Sequence, residues 1–443
     1  MVPIDDGIQE KPALLLQQLL RLDTSNPPGR EAGCAEYIQG LLTAAGVPTM
    51  RYENEPGRTN LIARISGRRA APTLLLYGHL DVVPATGEEW THPPFEGQIA
   101  DGCVWGRGAL DMKGGVAMMV AAFLRAARQG PPPGDVVLAL FADEECGGVH
   151  GARFVVDEHP EVFHDVRYAI GEFGGFPLRL RGRTFYLIQV AEKGPAVIEL
   201  VVRGPEGHGA RPMRGGAVAR AAGVLQRLDS FRTPVHITPV TRRMIETIAD
   251  HLAFPDGSVV RRLLNPARTD RWLRRLGEVG RNLEPLFRNT VNATVLRGGE
   301  RVNVVPGDVH ILLDGRLLPG FTPEDLVAEI APALGRDVDA TVVRGEAPGA
   351  HIDFGLFGLL GRLLVARDPD AVAVPYLLPG SSDGRHLARI GIQTYGYTPM
   401  NLPPGISFFD TIHARDERVP VFAVEFGADV LESLIQTGAS PAP

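Results

Sequence analysis

Long apolar runs are missing from this chain: no stretch of about 18 consecutive apolar residues occurs, which excludes a membrane-spanning helix. An excess of basic charge is missing too. The formal net charge is -7, whereas a nucleic-acid binder carries a basic surface to meet phosphates. Cysteine is scarce. Cys34, Cys103 and Cys146 are odd in number and scattered, which speaks against a disulfide framework. The opening Met1-Val-Pro-Ile-Asp-Asp lacks a basic segment followed by an apolar stretch, so no secretory signal is expected and a cytoplasmic location is. Internal repeats are absent, and low complexity is confined to the Pro/Ala tail.

What is present is ordinary globular composition, 44% hydrophobic and 22% charged, over 443 residues. That length predicts two domains. The first 180 or so residues alternate helical and strand patterns. Apolar residues recur at helical spacing over 14–22 and 35–45, short apolar runs at 73–77, 136–141 and 168–170 read as buried strands, and 116–127 reads as a helix. Strands separated by helices imply an α/β sheet with covered faces. The middle changes rhythm: strands at 184–190, 196–203, 290–296, 304–313 and 340–343, with helices at 216–228 and 323–334. That is an α+β unit inserted into the first. Between its halves lies an Arg-rich stretch, 242–288, on apparent helices. It reads as a solvated face, or alternatively as a lid or an acidic-ligand contact. The α/β pattern returns from about 347, giving a first domain from 1–183 and 347–443 and an inserted one at 184–346.

The polar residues of interest follow strands. His79 and Asp81 come just past the run Leu74–Tyr77, Asp143-Glu144-Glu145 ends the run 136–141, and Glu172 ends the third. In open α/β sheets ligands bind off the carboxyl ends of strands, so these clusters can converge. His79 offers a neutral imidazole to a metal. Asp81, two residues on, faces the same side of an extended segment and can accept the other ring N–H. Asp111 sits between a Gly-rich loop and a helix start, in Gly106-Arg-Gly-Ala-Leu-Asp111. Its two oxygens could bridge two cations, although an Asp there also suits a helix N-cap. It occupies the place of the third glycine of a dinucleotide fingerprint, which argues against that fold. Three adjacent acids at 143–145 repel one another unless cations relieve them. One glutamate can then ligate while its neighbour takes the proton of a metal-activated water. Of the other histidines, His92, His150, His159, His164, His236, His251, His310 and His351 are expected to be structural or exposed.

Gly78-His-Leu-Asp-Val-Val-Pro84, Gly106-Arg-Gly-Ala-Leu-Asp-Met-Lys-Gly114 and Asp143-Glu-Glu145, in this order, resemble the M20 family of metallopeptidases. That family includes glutamate carboxypeptidases, aminoacylases, acetylornithine deacetylases and succinyl-diaminopimelate desuccinylases. The resemblance runs from Asp23 to Val419. It implies a zinc-peptidase-like α/β catalytic domain with an inserted α+β, ferredoxin-like, lid and dimerisation domain. It further implies two divalent metal ions, zinc by the ligand set, with cobalt or manganese also fitting. His79, Asp111 and Glu172 would hold one ion, and Asp111, Glu145 and His413 the other. Glu144 would be the general acid/base and Asp81 the partner of His79, and the Asp111-Met112 bond would be cis. His208, in Gly204-Pro-Glu-Gly-His208, would stabilise the oxyanion from a partner subunit of a homodimer. Asn303 and Arg316 would hold the substrate carboxylate, and Arg385 would line the site. The expected activity is cleavage of an amide or peptide bond next to a free carboxylate by a metal-bridged hydroxide. The substrate would be a small peptide or an N-acyl amino acid. Two departures stand out: Arg214-Gly-Gly-Ala-Val-Ala lacks the family's Asn, and 231–289 is longer than in compact members.

Overall fold

The computed structural model of the chain describes residues 7–86, 89–335, 337–349 and 351–441. It divides into two compact units: Met1–Val190 with Asp353–Tyr376 and Ser382–Pro443, and Ala191–Ile352 with Leu377–Ser381.

The first unit is built on a large mixed sheet. In spatial order its strands are Thr49–Tyr52, Asn60–Ile65, Val136–Phe141, Thr73–His79, Val166–Gly171, Gln393–Gly396, Arg183–Glu192 and Ala371–Leu378, with Phe176–Leu180 paired to Arg183–Glu192. The four central strands run parallel, so Phe141, His79, Gly171 and Gly396 all end on one edge. Thr73–His79 and Val136–Phe141 are buried at every position, as expected of parallel strands covered on both faces. Much of that cover is the helix Lys113–Arg128, which is almost wholly buried and packs against the C-terminal helix Val421–Thr437. The two helices come close because Gly427 has no side chain: a Cβ there would stand 2.3 Å from the Met118 sulfur.

A small antiparallel sheet matters more for the site. Arg418–Pro420 pairs with Cys103–Trp105, Arg418 opposite Trp105, and Gln98–Ala100 lies on the far side. This pairing lays the chain just before Arg418 beside the chain just after Trp105.

The second unit is a four-stranded antiparallel sheet in the order Thr290–Arg297, Asp308–Leu317, Gly194–Arg203, Val338–Gly345. Helices Ala217–Ser230 and Pro323–Leu334 pack on it. The chain order strand-helix-strand-strand-helix-strand is that of a ferredoxin-like unit. Gly194–Arg203 and Asp308–Leu317 alternate buried and half-buried positions, the mark of a sheet with one covered face. Helices Pro239–His251, Asp256–Arg261, Pro266–Arg275 and Glu278–Leu283 fill the Arg-rich stretch, where Arg262 and Arg275 lie over the Trp272 ring.

Two elements differ from the sequence reading. Arg183–Glu192 belongs to the large sheet and does not open the inserted one; its middle residues are all buried. The strand expected at 304–313 is split into Val304–Val305 and Asp308–Leu317, because Pro306 has no N–H to give a ladder.

Candidate metal centre

Three clusters meet at the carboxyl edge of the parallel strands. His79 is the last residue of its strand and is buried. Glu172 follows Gly171 directly and is buried. Phe141 leads into a tight turn in which Asp143 adopts φ 68°. That left-handed conformation is uncommon for a residue with a side chain. It is fixed by three donors to the Asp143 carboxylate: Arg58 at 2.8 Å, Asn26 at 3.1 Å and the His150 N–H at 3.0 Å. The turn then presents Glu144 and Glu145.

Asp111 and His413 arrive by way of the small sheet. The loop Gly106–Asp111 leaves the strand ending at Trp105, and His413 precedes the strand beginning at Arg418. Glu417 ties the two segments together. Its buried carboxylate accepts the N–H groups of Gly108, Leu110 and Asp111 at 3.0, 2.8 and 3.1 Å, and pairs with Arg107 at 2.8 Å. Arg107 also donates to the Ala414 and His413 carbonyls. The Asp111-Met112 peptide is cis.

The resulting geometry has Asp111 at its centre. His79 Nε2 stands 3.2 Å from Asp111 Oδ1 and 3.3 Å from Glu172 Oε2. His413 Nε2 stands 3.1 Å from Asp111 Oδ2 and 3.3 Å from Glu145 Oε1. The two oxygens of one carboxylate thus face two different imidazoles, each with a second carboxylate alongside. Ligand atoms of His79, Asp111 and Glu145 fall within 4.8 Å of one another, and so do those of His79, Glu144 and Glu172.

These residues fit divalent cations. Ligand atoms at about 2.0–2.2 Å around a tetrahedral ion lie about 3.3–3.6 Å apart, close to the 3.1–3.3 Å spacings here. Glu145 Oε1 and Glu172 Oε2 are buried, and each faces an imidazole nitrogen at 3.3 Å without a well-formed hydrogen bond among the described residues, an arrangement a cation between the two groups would satisfy. The donor set, imidazole and carboxylate, is one that zinc, cobalt and manganese accept.

The electrostatics agree. Burial raises Glu172 to about 8 and pushes Glu144 well above the usual carboxylate range, with the Glu172 charge adding to it. Burial raises Glu145 as well. Hydrogen bonds to Asp111 and Glu145 lift His413 to about 10. Burial opposes ionisation of Asp111, but bonds from His413 and His79 outweigh it and hold the group below its ordinary value. Protons stand where cations would otherwise balance the charge.

Asp81 is placed differently from the sequence reading. His79 Nδ1 is 2.9 Å from the Asp81 main-chain carbonyl and 3.5 Å from its carboxylate. The carboxylate is instead taken by the N–H groups of Glu144 and Glu145, both at 3.1 Å, and by the Asn26 amide at 2.8 Å. One residue therefore touches the His79 ring and holds the Glu144–Glu145 turn. Arg385 bonds the Ser382 and Gly147 carbonyls at 2.9 and 3.0 Å and comes within 3.9 Å of Glu144.

Three of the expected site residues lie in the second unit. His208 is exposed, on the short ribbon Gly207–His208 paired with Val304–Val305. Asn303 is exposed, and its carbonyl accepts the Gly209 N–H at 2.8 Å. Arg316 is half-buried and forks onto Asp314 at 2.9 and 3.0 Å, with a nitrogen 3.4 Å from the Ser381 hydroxyl. Several histidines expected to be bland have local partners, such as His236 with Glu329 at 2.6 Å and His310 with Glu199 at 3.0 Å.

Sequence reasoning missed Asn26, Glu417 with Arg107, and the pair Asp383 and His386. The last two are buried, and their side-chain polar atoms find no hydrogen bond among the described residues.

Comparison with known proteins follows the same lines. Residues 75–437 match the sequence profile of Peptidase family M20/M25/M40. The chain is 26% identical over 365 residues to "Probable carboxypeptidase S-like 2" of Dictyostelium discoideum, covering 79% of this chain and 68% of that protein. It is 27% identical over 432 residues to the N-fatty-acyl-amino acid synthase/hydrolase PM20D1 of Bos taurus, covering 91% and 82%. Among solved structures, the M20 family metallo-carboxypeptidase Sso-CP2 from Sulfolobus solfataricus superposes with a TM-score of 0.64 at 19% identity. That superposition covers 97% of this chain and 99% of the other.

Proposed function

The chain belongs to peptidase family M20/M25/M40 and is a hydrolase, and from that premise we propose that it cleaves an amide or peptide bond next to a free carboxylate, using two divalent cations. The observation that carries the reading is the Asp111 carboxylate, one oxygen toward His79 and the other toward His413. His79, Asp111 and Glu172 would hold one ion, and Asp111, Glu145 and His413 the other; zinc would be the preferred occupant. Bound there, such ions supply polarisation of the scissile carbonyl and a water acidic enough to ionise near neutral pH.

The chain's own groups do the rest. Glu144 takes the proton of the attacking water and hands it to the departing nitrogen. Its raised pKa, caused by burial first, suits a group that must hold that proton in between. Asp81 fixes the turn that aims Glu144, and Arg385 braces the same turn through Gly147. Arg316 and Asn303 take the substrate carboxylate; an arginine fork matches a carboxylate's two oxygens. His208 stabilises the oxyanion from a second subunit of a homodimer, a role its exposure supports. The three cysteines are all free, which supports a reducing, cytoplasmic setting. No helix among the described residues is long and apolar enough to cross a membrane.

Two substrate classes fit this centre. A dipeptide or C-terminal peptide is one, supported by the carboxypeptidase relative. An N-acyl amino acid is the other, supported by the relative that acts on N-fatty-acyl amino acids. A panel of dipeptides and N-acyl amino acids, assayed with metal-loaded protein, separates them. No turnover of either class by protein holding two metals would overturn the proposal.

A further inference from the structure

Helix Pro266–Arg275, in the second unit, turns one face inward through Thr269 and Leu273, which are buried. At 3.6 residues per turn the far side is then made by Ala267, Arg268, Arg271, Arg274 and Arg275. The four arginines are exposed, and none makes an ion pair among the described residues. The one acid of the helix, Asp270, is turned to Arg288 and Arg232 instead. Arg271 therefore has arginines three residues away on both sides and another four residues on, spacings at which like charges repel. A helix face that only meets water usually sets acids among its bases. This one holds cations together with nothing to balance them.

The neighbouring turns extend the same character. Arg262 lies over the Trp272 ring at 4.8 Å, and Arg275 over it at 5.6 Å. Arg281 is exposed on the next helix, Glu278–Leu283. Between 261 and 281 the chain has seven arginines and two acids, in a protein whose net charge is -7. Apolar side chains stand open toward the two ends of this run of helices: Phe254 is 87% exposed and Val279 52%.

We propose that this arginine face docks the protein on an anionic lipid surface. Guanidinium groups match phosphate and carboxylate oxygens with paired N–H donors, and basic clusters are drawn to anionic headgroups. The acidic remainder of the chain is repelled by the same surface, so the two effects together fix which side faces the lipid. The exposed Phe254 and Val279 favour lipid over a bare polyanion, because apolar side chains gain by entering the headgroup boundary. Tryptophan settles at that level too. A single-stranded nucleic acid would instead need rings open to its bases, whereas guanidinium groups already lie over Trp272.

The test sediments full-length protein with vesicles of phosphatidylcholine, with and without phosphatidylserine. Binding is expected on the phosphatidylserine vesicles alone. It should fall at least about tenfold between about 0.1 M and about 1 M salt, as the Debye length shrinks from about 10 Å to about 3 Å. The variant Arg268→Gln/Arg271→Gln/Arg274→Gln spares Trp272 and the two arginines over it. It should bind about 100-fold more weakly, at roughly fivefold per arginine near the surface. Arg30→Gln/Arg51→Gln/Arg68→Gln removes the same charge from exposed positions of the first unit and should bind as wild type does. Equal binding to both kinds of vesicle, or no binding to either, would overturn the proposal. So would a helix variant that binds as well as wild type, or a control variant that is weakened as much. Capture of single-stranded RNA or an acidic peptide in place of vesicles would assign the face to another partner and overturn it as well. A helix variant whose oligomeric state changes by light scattering would do the same, by giving the face to a second copy. The vesicle and salt comparisons use wild type alone and decide the matter even if the helix variant fails to fold.

Discussion

Glu417 accepts the main-chain N–H of Asp111 at 3.1 Å, so the residue that faces both imidazoles is held in place by a carboxylate that never points at them. The same group accepts two more N–H groups from the Gly106–Asp111 loop and pairs with Arg107, which in turn grips the carbonyls beside His413. The loop and the His413 segment are thus fastened to one another before any ligand binds.

Replacing Glu417 with Ala should therefore be severe. It removes the carboxylate paired with the buried Arg107 guanidinium and frees three N–H groups, and breaking a buried ion pair costs about 3–5 kcal/mol. The denaturation midpoint should fall accordingly, and metal content should fall with it. A variant as stable as wild type would show that the Asp111 loop holds itself.

Glu144→Gln keeps the shape of the side chain and removes its basicity. Turnover should drop by about 10²–10⁴ while two metals per chain remain bound by elemental analysis. Loss of one metal would make Glu144 a ligand, a role its closeness to His79 and Glu172 allows.

Asp81→Asn tests the turn. The amide retains one acceptor where the carboxylate now serves the N–H groups of both Glu144 and Glu145. One buried N–H goes unmet, at about 1–3 kcal/mol, and metal affinity should weaken by about 10–100-fold. Unchanged affinity would mean that the main-chain carbonyl facing His79 Nδ1 suffices.

Lys193 gives a pH signature in the second unit. Its fully buried ammonium donates to the Arg288 carbonyl at 2.9 Å and the Thr290 hydroxyl at 3.0 Å. Burial, with the Arg316 charge adding to it, lowers its pKa to about 7, against about 10.4 for an exposed lysine. Between those values the unfolded chain binds a proton that the folded one does not. Stability from this group is therefore present above the unfolded value and lost as pH falls toward 7. Denaturation of wild type and Lys193→Met at pH 7 and pH 10 should show wild type gaining relative to the variant at the higher pH. Parallel curves would contradict the shift.

Much of the centre was legible because of where its residues stand in the chain. Val136–Phe141 and Thr73–His79 are continuous apolar runs, and acids or imidazoles directly after such runs have few structural uses. Other parts gave no such signal. Ala371–Leu378 contains Pro375, which counts against a strand, but at the edge of the sheet a missing N–H is harmless. Thr49–Tyr52 is too polar and exposed to register as sheet. Glu417 and Asn26 act on main-chain N–H groups and carboxylates far away in sequence, and no local spacing betrays such a contact. Asp81 was found by its spacing from His79, yet its carboxylate serves the following turn as well, because Glu144 and Glu145 present two N–H groups at the same depth.

The most direct test of the account is a count of metal sites in wild type and in Asp111→Asn. Chelator-stripped protein is titrated with zinc, and tight equivalents are read by calorimetry and elemental analysis. The account predicts two sites in wild type and both gone or severely weakened in the variant, since one carboxylate serves both imidazoles. Two tight sites surviving in Asp111→Asn, or a single site in wild type, would contradict it.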